Sequence, residues 1–306
     1  MTQIHIPVMK SETLDLLINK KDGIYLDCTI GFGGHSKEIL NRINNKGILI
    51  GMDLDPYALS KANEKLSDSS EKKFSLHNIS YKEFPTILSE MKIKKVDGFL
   101  IDLGISSYQV DSAHRGFSFI NNGPLDMRFN QSNGYTAKKF LNKISEKKLA
   151  DIIKYYGDQS KSKKIAKAIL EKINSNKINT TFDLKNCIQS ITKSNDLKIV
   201  SKVFQSIRIA LNDEFENLKS ALKKMPEFLN KGGRIAIISF HSIEDRIVKH
   251  YFKNNTLINV EDYFDRKKIN QENLKVLTKK PVTPSNYEVH INPRSRSAKL
   301  RVAEKI

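Results

Sequence analysis

Residues 23–36 read Gly-Ile-Tyr-Leu-Asp27-Cys-Thr-Ile-Gly31-Phe-Gly33-Gly34-His35-Ser36, and no other stretch constrains the fold as tightly. An apolar run ends in an acid, breaks into a loop with three glycines, and resumes at Ser36 with helical spacing at Ile39, Leu40 and Ile43. Strand, tight turn and helix start in that order make the first crossover of a Rossmann-like unit. Glycines let the backbone approach a ligand closely, and a helix N-terminus offers N–H groups without intrahelical partners. A second apolar run, Gly47 to Met52, ends in Asp53-Leu-Asp55-Pro56. Asp53 follows Gly31 by 22 positions, the usual distance to an acid that grips a ribose.

The glycines at 31, 33 and 34 do not follow G-x-G-x-x-G, whose third glycine lets a helix receive a pyrophosphate. An acid, Asp27, precedes them. A carboxylate repels a phosphate and attracts the ammonium or sulfonium of S-adenosylmethionine, so the pattern leans to a methyl donor over a nicotinamide. Asp27 capping its own loop is the plainer alternative.

Two cysteines, Cys28 and Cys187, stand far apart in no metal-ligand spacing, which indicates neither a disulfide framework nor a zinc site. The opening Met1-Thr-Gln-Ile-His-Ile-Pro lacks a charged segment followed by an apolar one, and no run approaches a membrane span. A soluble cytoplasmic protein with no membrane partner is expected.

The net charge of +18 is localised. Residues 108–206 carry 18 Lys and Arg against 8 acids, and 266–306 carry 11 against 3, while the remainder is balanced at 23 of each. A surplus confined to two segments points to a polyanion partner of the nucleic-acid kind. The chain also holds 42 Lys, 10 Arg and 26 Asn, a usage that codon bias alone can produce. In so lysine-rich a chain, arginine hints at a demand for its planar fork; Arg115, Arg128, Arg208, Arg234, Arg246, Arg294, Arg296 and Arg301 are the candidates.

Strand and helix patterns alternate up to Val96–Asp102, a further apolar strand ending in an acid. The loop Leu103–Ser107 follows at its carboxyl end, where open α/β sheets place ligands. From about Ser145 to Ile209 the spacing is helical, as in Leu149-Ile152-Ile153-Tyr156, Ile165-Ala168-Ile169-Ile173 and Phe182-Leu184-Ile188-Ile191. The α/β pattern returns with a helix over Asp213–Leu229, a turn at Lys231-Gly232-Gly233 and a strand over Arg234–Phe240. The economical organisation is one α/β domain, residues 1–107 and 207–306, interrupted by a helical insert, 108–206. Residues 254–280 read as a polar mobile loop.

Four patches can carry chemistry. Asp102 stands where a carboxylate can accept the N–H of an exocyclic amine and draw its lone pair out of the ring; capping the loop or bonding a cofactor explains it equally well. Segment His114–Phe119 with Gly123–Arg128 offers aromatics and arginine forks for an unstacked base, or simply buried aromatics that anchor a loop. Ser242 with Asp245 reads as a helix cap, and His241 as a general base or a structural hydrogen-bonding group. Residues 292–301 read as a phosphate-contacting arm, or as an edge strand with Ala298, Leu300 and Val302 inward and the arginines in solvent.

Taken together, several motifs resemble the bacterial small-subunit rRNA cytosine-N4 methyltransferase (RsmH or MraW) family along essentially the whole chain. They are His5-Ile-Pro-Val8, Asp27–Ser36, Asp53–Pro56, Asp102–Ser107, Arg115–Phe119, Gly123–Arg128, Ser239–Ser242 and Asn292–Ser297. The resemblance implies a Rossmann-like class I methyltransferase α/β sheet with an inserted helical substrate-recognition domain. It also implies methyl transfer from S-adenosylmethionine to N4 of cytidine 1402 in 16S rRNA. Its cofactor contacts fall on Gly33, Gly34, His35, Asp53, Asp102 and Gln109, with Tyr81 the best match for an aromatic after the third strand; Asp102 is the catalytic candidate. The partners implied are 16S rRNA and the small ribosomal subunit, with a homodimer left open. Cys28 and Phe32 depart from the family's usual glycine and arginine, and Lys202 replaces a common arginine. Two rivals stand beside this reading. A nicotinamide-dependent oxidoreductase shares the strand, loop and acid but not the glycine spacing or the basic insert. A non-catalytic RNA-binding assembly factor explains the charge but leaves Asp27, Asp53 and Asp102 as coincidence.

Overall fold

The computed structural model describes residues 7–67, 73–192, 196–254, 256–261, 266–268 and 274–306. His5 and Ile6 of the first motif lie outside the described residues. The chain forms two compact units: one from Met1–Gly104, Glu216–Asn259 and Phe264–Ile306, the other from Ile105–Phe215 with Val260–Tyr263.

The first unit is built on a seven-stranded sheet. Its strands are β1 (Ile24–Asp27), β2 (Ile48–Met52), β3 (Lys73–His77), β4 (Val96–Asp102), β5 (Leu229–Ser239), β8 (Leu274–Val276) and β9 (Lys299–Lys305), in the order β3-β2-β1-β4-β5-β9-β8. The first five are parallel, and β9 runs antiparallel to both β5 and β8. Parallel strands covered on both faces read as continuous apolar runs, and Val96–Ile101 is buried throughout. Helices α1 (Lys10–Leu17), α2 (Gly34–Arg42), α3 (Pro56–Leu66), α4 (Phe84–Glu90), α11 (Glu214–Lys224), α12 (Ser242–Asn254) and α13 (Asn286–Ile291) complete it. Only α11 reaches across the division, by its first two residues. Ile39 and Leu40 of α2 and Ile43, just beyond its end, are buried with Leu49 and Leu100. Each such side chain contributes about 1.5–3 kcal/mol by leaving water. The strand order reverses between β1 and β4, the switch point at which open α/β sheets bind ligands.

The second unit is helical: α5 (Ser107–Asp111), α6 (Ala137–Lys143), α7 (Glu146–Tyr155), α8 (Ser162–Asn174), α9 (Thr181–Thr192) and α10 (Leu197–Leu211). Ile153, Ile165, Ile169, Leu184, Ile188, Val203 and Ile207 meet in its core, as the spacings of three and four require. The loop before α6 adds Phe117, Leu125 and Met127. Helix α6, capped by the Thr136 side chain on Lys139 N–H, carries no clear periodicity in seven residues and escapes a sequence reading.

Several sequence expectations need correction. Helix α2 starts at Gly34, with Gly33 as its left-handed N-cap, two residues before Ser36. The helix expected over 213–229 is α11 followed by a 3₁₀ turn, Met225–Phe228. Lys231-Gly232-Gly233 is no turn: β5 runs through it as a bulge, and the pairing with β4 slips between Val96 and Gly98. Within 254–280 lie β6 (Thr256–Ile258), β7 (Arg266–Lys268), which pair antiparallel, and β8; the rest of that segment is partly outside the described residues. Strand β9 is not an edge, because β8 covers its far side, and Arg301 is buried rather than solvated.

Candidate functional site

The loop after β1 folds across the end of β2. Ile30 N–H donates to the Met52 carbonyl at 2.9 Å, and Gly31 N–H to Asp53 Oδ2 at 2.9 Å. Gly51 permits this: a Cβ there would lie 2.4 Å from Ile30 Cδ1. Gly31 (φ +50°) and Gly33 (φ +73°) take left-handed backbone that an L side chain disfavours. The loop therefore delivers the first N–H groups of α2 to the carboxyl edge of the sheet, where Asp27, Asp53 and Asp102 stand at the ends of β1, β2 and β4.

These acids are held in different ways. Asp27, 1% exposed, accepts from Ser36 Oγ at 2.7 Å and from Thr29 N–H at 3.4 Å. Burial pushes its carboxyl up to about 6 despite those bonds. Asp53 accepts from Gly31 N–H and, through Oδ1, from Asp55 N–H at 2.9 Å; burial raises it also to about 6. Asp102 donates its backbone N–H to Thr29 Oγ1 at 2.7 Å. Its carboxyl is driven well above the usual range by burial, then by the charges of Asp27 and Glu244. Asp102 Oδ1 is buried with no hydrogen-bond partner among the described residues. His35 Nε2 lies 2.9 Å from the Val8 carbonyl, which only accepts, so Nε2 carries a proton and Nδ1 faces Asp102 Oδ2 at 3.7 Å. No Lys or Arg pairs with these three acids among the described residues. The three acids stand together at the carboxyl edge of the sheet, and no metal-binding cluster is present among the described residues.

A model of the MraW methylase family matches residues 2–306. The chain belongs to the MraW methylase family. "Ribosomal RNA small subunit methyltransferase H" of Clostridium botulinum (strain Loch Maree / Type A3) is 45% identical over 99% of both chains. The protein of the same name from Caldicellulosiruptor saccharolyticus is 44% identical, again over 99% of each. Among solved structures, an rRNA methylase from Streptococcus thermophilus aligns over 97% of this chain and 93% of that one, with 11% identity and a TM-score of 0.43.

Of the residues that the resemblance to the MraW methylase family marks, Gly33, Gly34, His35, Asp53 and Asp102 lie in the α/β unit around the first loop. Tyr81 is half-buried in a 3₁₀ turn after β3. Gln109 belongs to the helical unit, where it completes a capping box with Ser106: each side chain takes the other's backbone N–H, at 3.1 and 3.2 Å. Phe117 stacks on Phe129 with centroids 5.6 Å apart and Phe119 meets Phe204 edge-on, so both anchor the loop. Four of the candidate arginines serve the architecture. Arg128 grips Asp126 and Arg208 grips Glu214, each through two bonds; Arg301 grips Asp245, and Arg115 donates to the Arg128 and Phe129 carbonyls. The start of α12 is held by His241 with Glu244 rather than Ser242 with Asp245: His241 Nδ1 accepts from Glu244 N–H at 3.4 Å, and Glu244 Oε2 accepts from Phe240 and His241 N–H. His241 Nε2 lies 2.9 Å from Glu244 Oε1, a structural contact. Sequence reasoning missed Thr29, Gly51 and Glu244; the signal for Gly51, a glycine inside an apolar strand, was visible.

Proposed function

We propose that this protein transfers a methyl group from S-adenosylmethionine to N4 of cytidine 1402 in 16S rRNA, in the cytoplasm, on the small ribosomal subunit or its RNA. The observation that carries the reading is the trio Asp27, Asp53 and Asp102 beside the glycine loop, without a basic partner among the described residues. A nucleoside with a sulfonium and an ammonium suits that edge, whereas the pyrophosphate of a dinucleotide does not. When bound, the donor supplies an electrophilic methyl on a positively charged sulfur.

Asp53 takes the ribose: beside the backbone N–H groups that it accepts, among them Gly31 and Asp55, its carboxylate keeps a lone pair for a hydroxyl donor. Gly33, Gly34 and His35 offer backbone at close range. Asp102, with Tyr81, serves the base side of the donor or the target amine. Ionised, Asp102 would accept a hydrogen bond from N4–H and free the lone pair for in-line attack; as the N–CH3 bond forms and the S–CH3 bond breaks to leave a neutral thioether, its carboxylate would take the N4 proton. The α/β unit then holds the donor, and the helical unit, which reaches beyond the expected 108–206 to Ile105 and Phe215, recognises the RNA.

Mass spectrometry of 16S rRNA nucleosides after incubation with isotopically labelled donor tests this. Label in N4-methylcytidine at position 1402 is expected; label in any other nucleoside, or none, overturns it.

A further inference from the structure

Helix α13 presents an unusual face. Tyr287 is 73% and Ile291 44% exposed, one turn apart, with exposed His290 beside them. Single exposed apolar residues are ordinary; two large ones in register on a six-residue helix are not. The 3₁₀ turn Pro293–Ser297 follows directly. Its Ser295 is fully buried and donates Oγ–H to the Asn292 carbonyl at 2.8 Å, while Arg294 and Arg296 on either side are exposed. The sole acid of residues 274–303 is Glu288, and its Oε1 accepts from Met9 N–H at 2.7 Å. That bond ties α13 to Met9, and the exposed side chains of this segment include an aromatic ring, Tyr287, and two arginines, Arg294 and Arg296.

We propose that this surface is a second RNA contact, made by the α/β unit itself: an unstacked base lies on the Tyr287 ring and flanking phosphates meet Arg294 and Arg296. The inference rests on the RNA methyltransferase reading above. Aromatic platforms next to cations are what single-stranded RNA requires, since every base has a π-face and every linkage a charge. An anionic peptide would use the cations but not the flat ring.

Two variants separate the components. Tyr287→Ala should weaken binding of a labelled 16S rRNA fragment spanning the target cytidine about tenfold without changing the salt dependence, because stacking displaces no counterions. Tyr287→Phe should bind like wild type. Arg294→Ala/Arg296→Ala should reduce the log–log salt slope by about 1.4, at roughly 0.7 per single-strand phosphate. A control that removes two exposed charges elsewhere, Lys46→Ala/Lys94→Ala, should leave the slope unchanged. S-adenosylhomocysteine affinity and melting temperature report that each variant is folded. Variants that bind RNA as wild type does, or a control that loses as much, overturn the proposal while the methyltransferase reading stands. A wild-type protein that neither binds nor methylates the RNA overturns both.

Discussion

Ser36 Oγ donates to Asp27 Oδ2 at 2.7 Å, tying the first turn of α2 to the end of β1. Both residues are buried, so the hydroxyl is the main compensation for a carboxylate removed from water. Ser36→Ala should destabilise the protein by about 1–3 kcal/mol at neutral pH, the cost of a buried acceptor losing its donor. Urea unfolding measures it; a change below about 0.5 kcal/mol would mean that the acid is satisfied otherwise.

Asp27 and Asp53 both titrate near 6 in the folded chain, raised from 3.8. Their folded forms hold protons that the unfolded chain releases. Their stabilising contribution is therefore complete below about pH 4 and lost as pH rises through about 6. A cationic donor has the opposite preference, because it binds the ionised acids. Affinity for S-adenosylmethionine should rise as pH increases from about 5 to about 7, by up to tenfold per unit for each coupled carboxyl, then level off. Calorimetry across that range, in two buffers of different ionisation heat, reads the released protons; a flat profile removes these acids from the site.

Asp53→Ala should weaken donor binding by about 1.5–3 kcal/mol, the scale of hydrogen bonds to a charged group. The variant also frees Gly31 N–H, so the loop's own loss is tracked by melting. Unchanged affinity in a direct titration rules Asp53 out as the ribose ligand.

Lys161, Lys163, Lys164 and Lys167 are exposed at the start of α8, while Ser162, Ile165 and Ala166 face the helical core. Reversing all four to Glu should flatten the salt dependence of RNA binding, by about 0.7 in slope for each lysine that meets a phosphate. Donor affinity should not move. An unaltered slope assigns these lysines to codon usage rather than to substrate.

What was legible in the sequence was local. The glycine loop, the acids ending β1, β2 and β4, and the spacings of α7, α8 and α9 need only neighbouring residues to declare themselves. What was not legible depended on distant partners. Asp245 and Glu244 both suit a helix start, and the choice between them is made by Arg301, 56 positions away, which takes Asp245. Gly232-Gly233 carries a turn signal; the strand continues because Asn230 Nδ2 donates to Asp97 of β4 at 2.9 Å and β4 accepts the bulge. Arginine among lysines did mark a demand for the fork, but Asp126, Glu214 and Asp245 make that demand within the protein.

Strands β4 and β5 are hydrogen-bonded neighbours, although residues 103–228 separate them along the chain. Joining them through a random coil of that length is entropically slow, since closure cost grows with the logarithm of the loop and non-local pairing retards folding. Helices α6 to α10 draw on contacts close in sequence and shorten that loop by condensing first. The kinetics should therefore be ordered: in pulsed hydrogen exchange during refolding, amides of α7 and α8 gain protection before those of β5. Simultaneous protection would mean one nucleus for the whole chain. In the ordered case the parallel half of the sheet stays open while the helices form, and Leu100, Ile101 and Ile237 remain exposed to aggregation until β5 arrives.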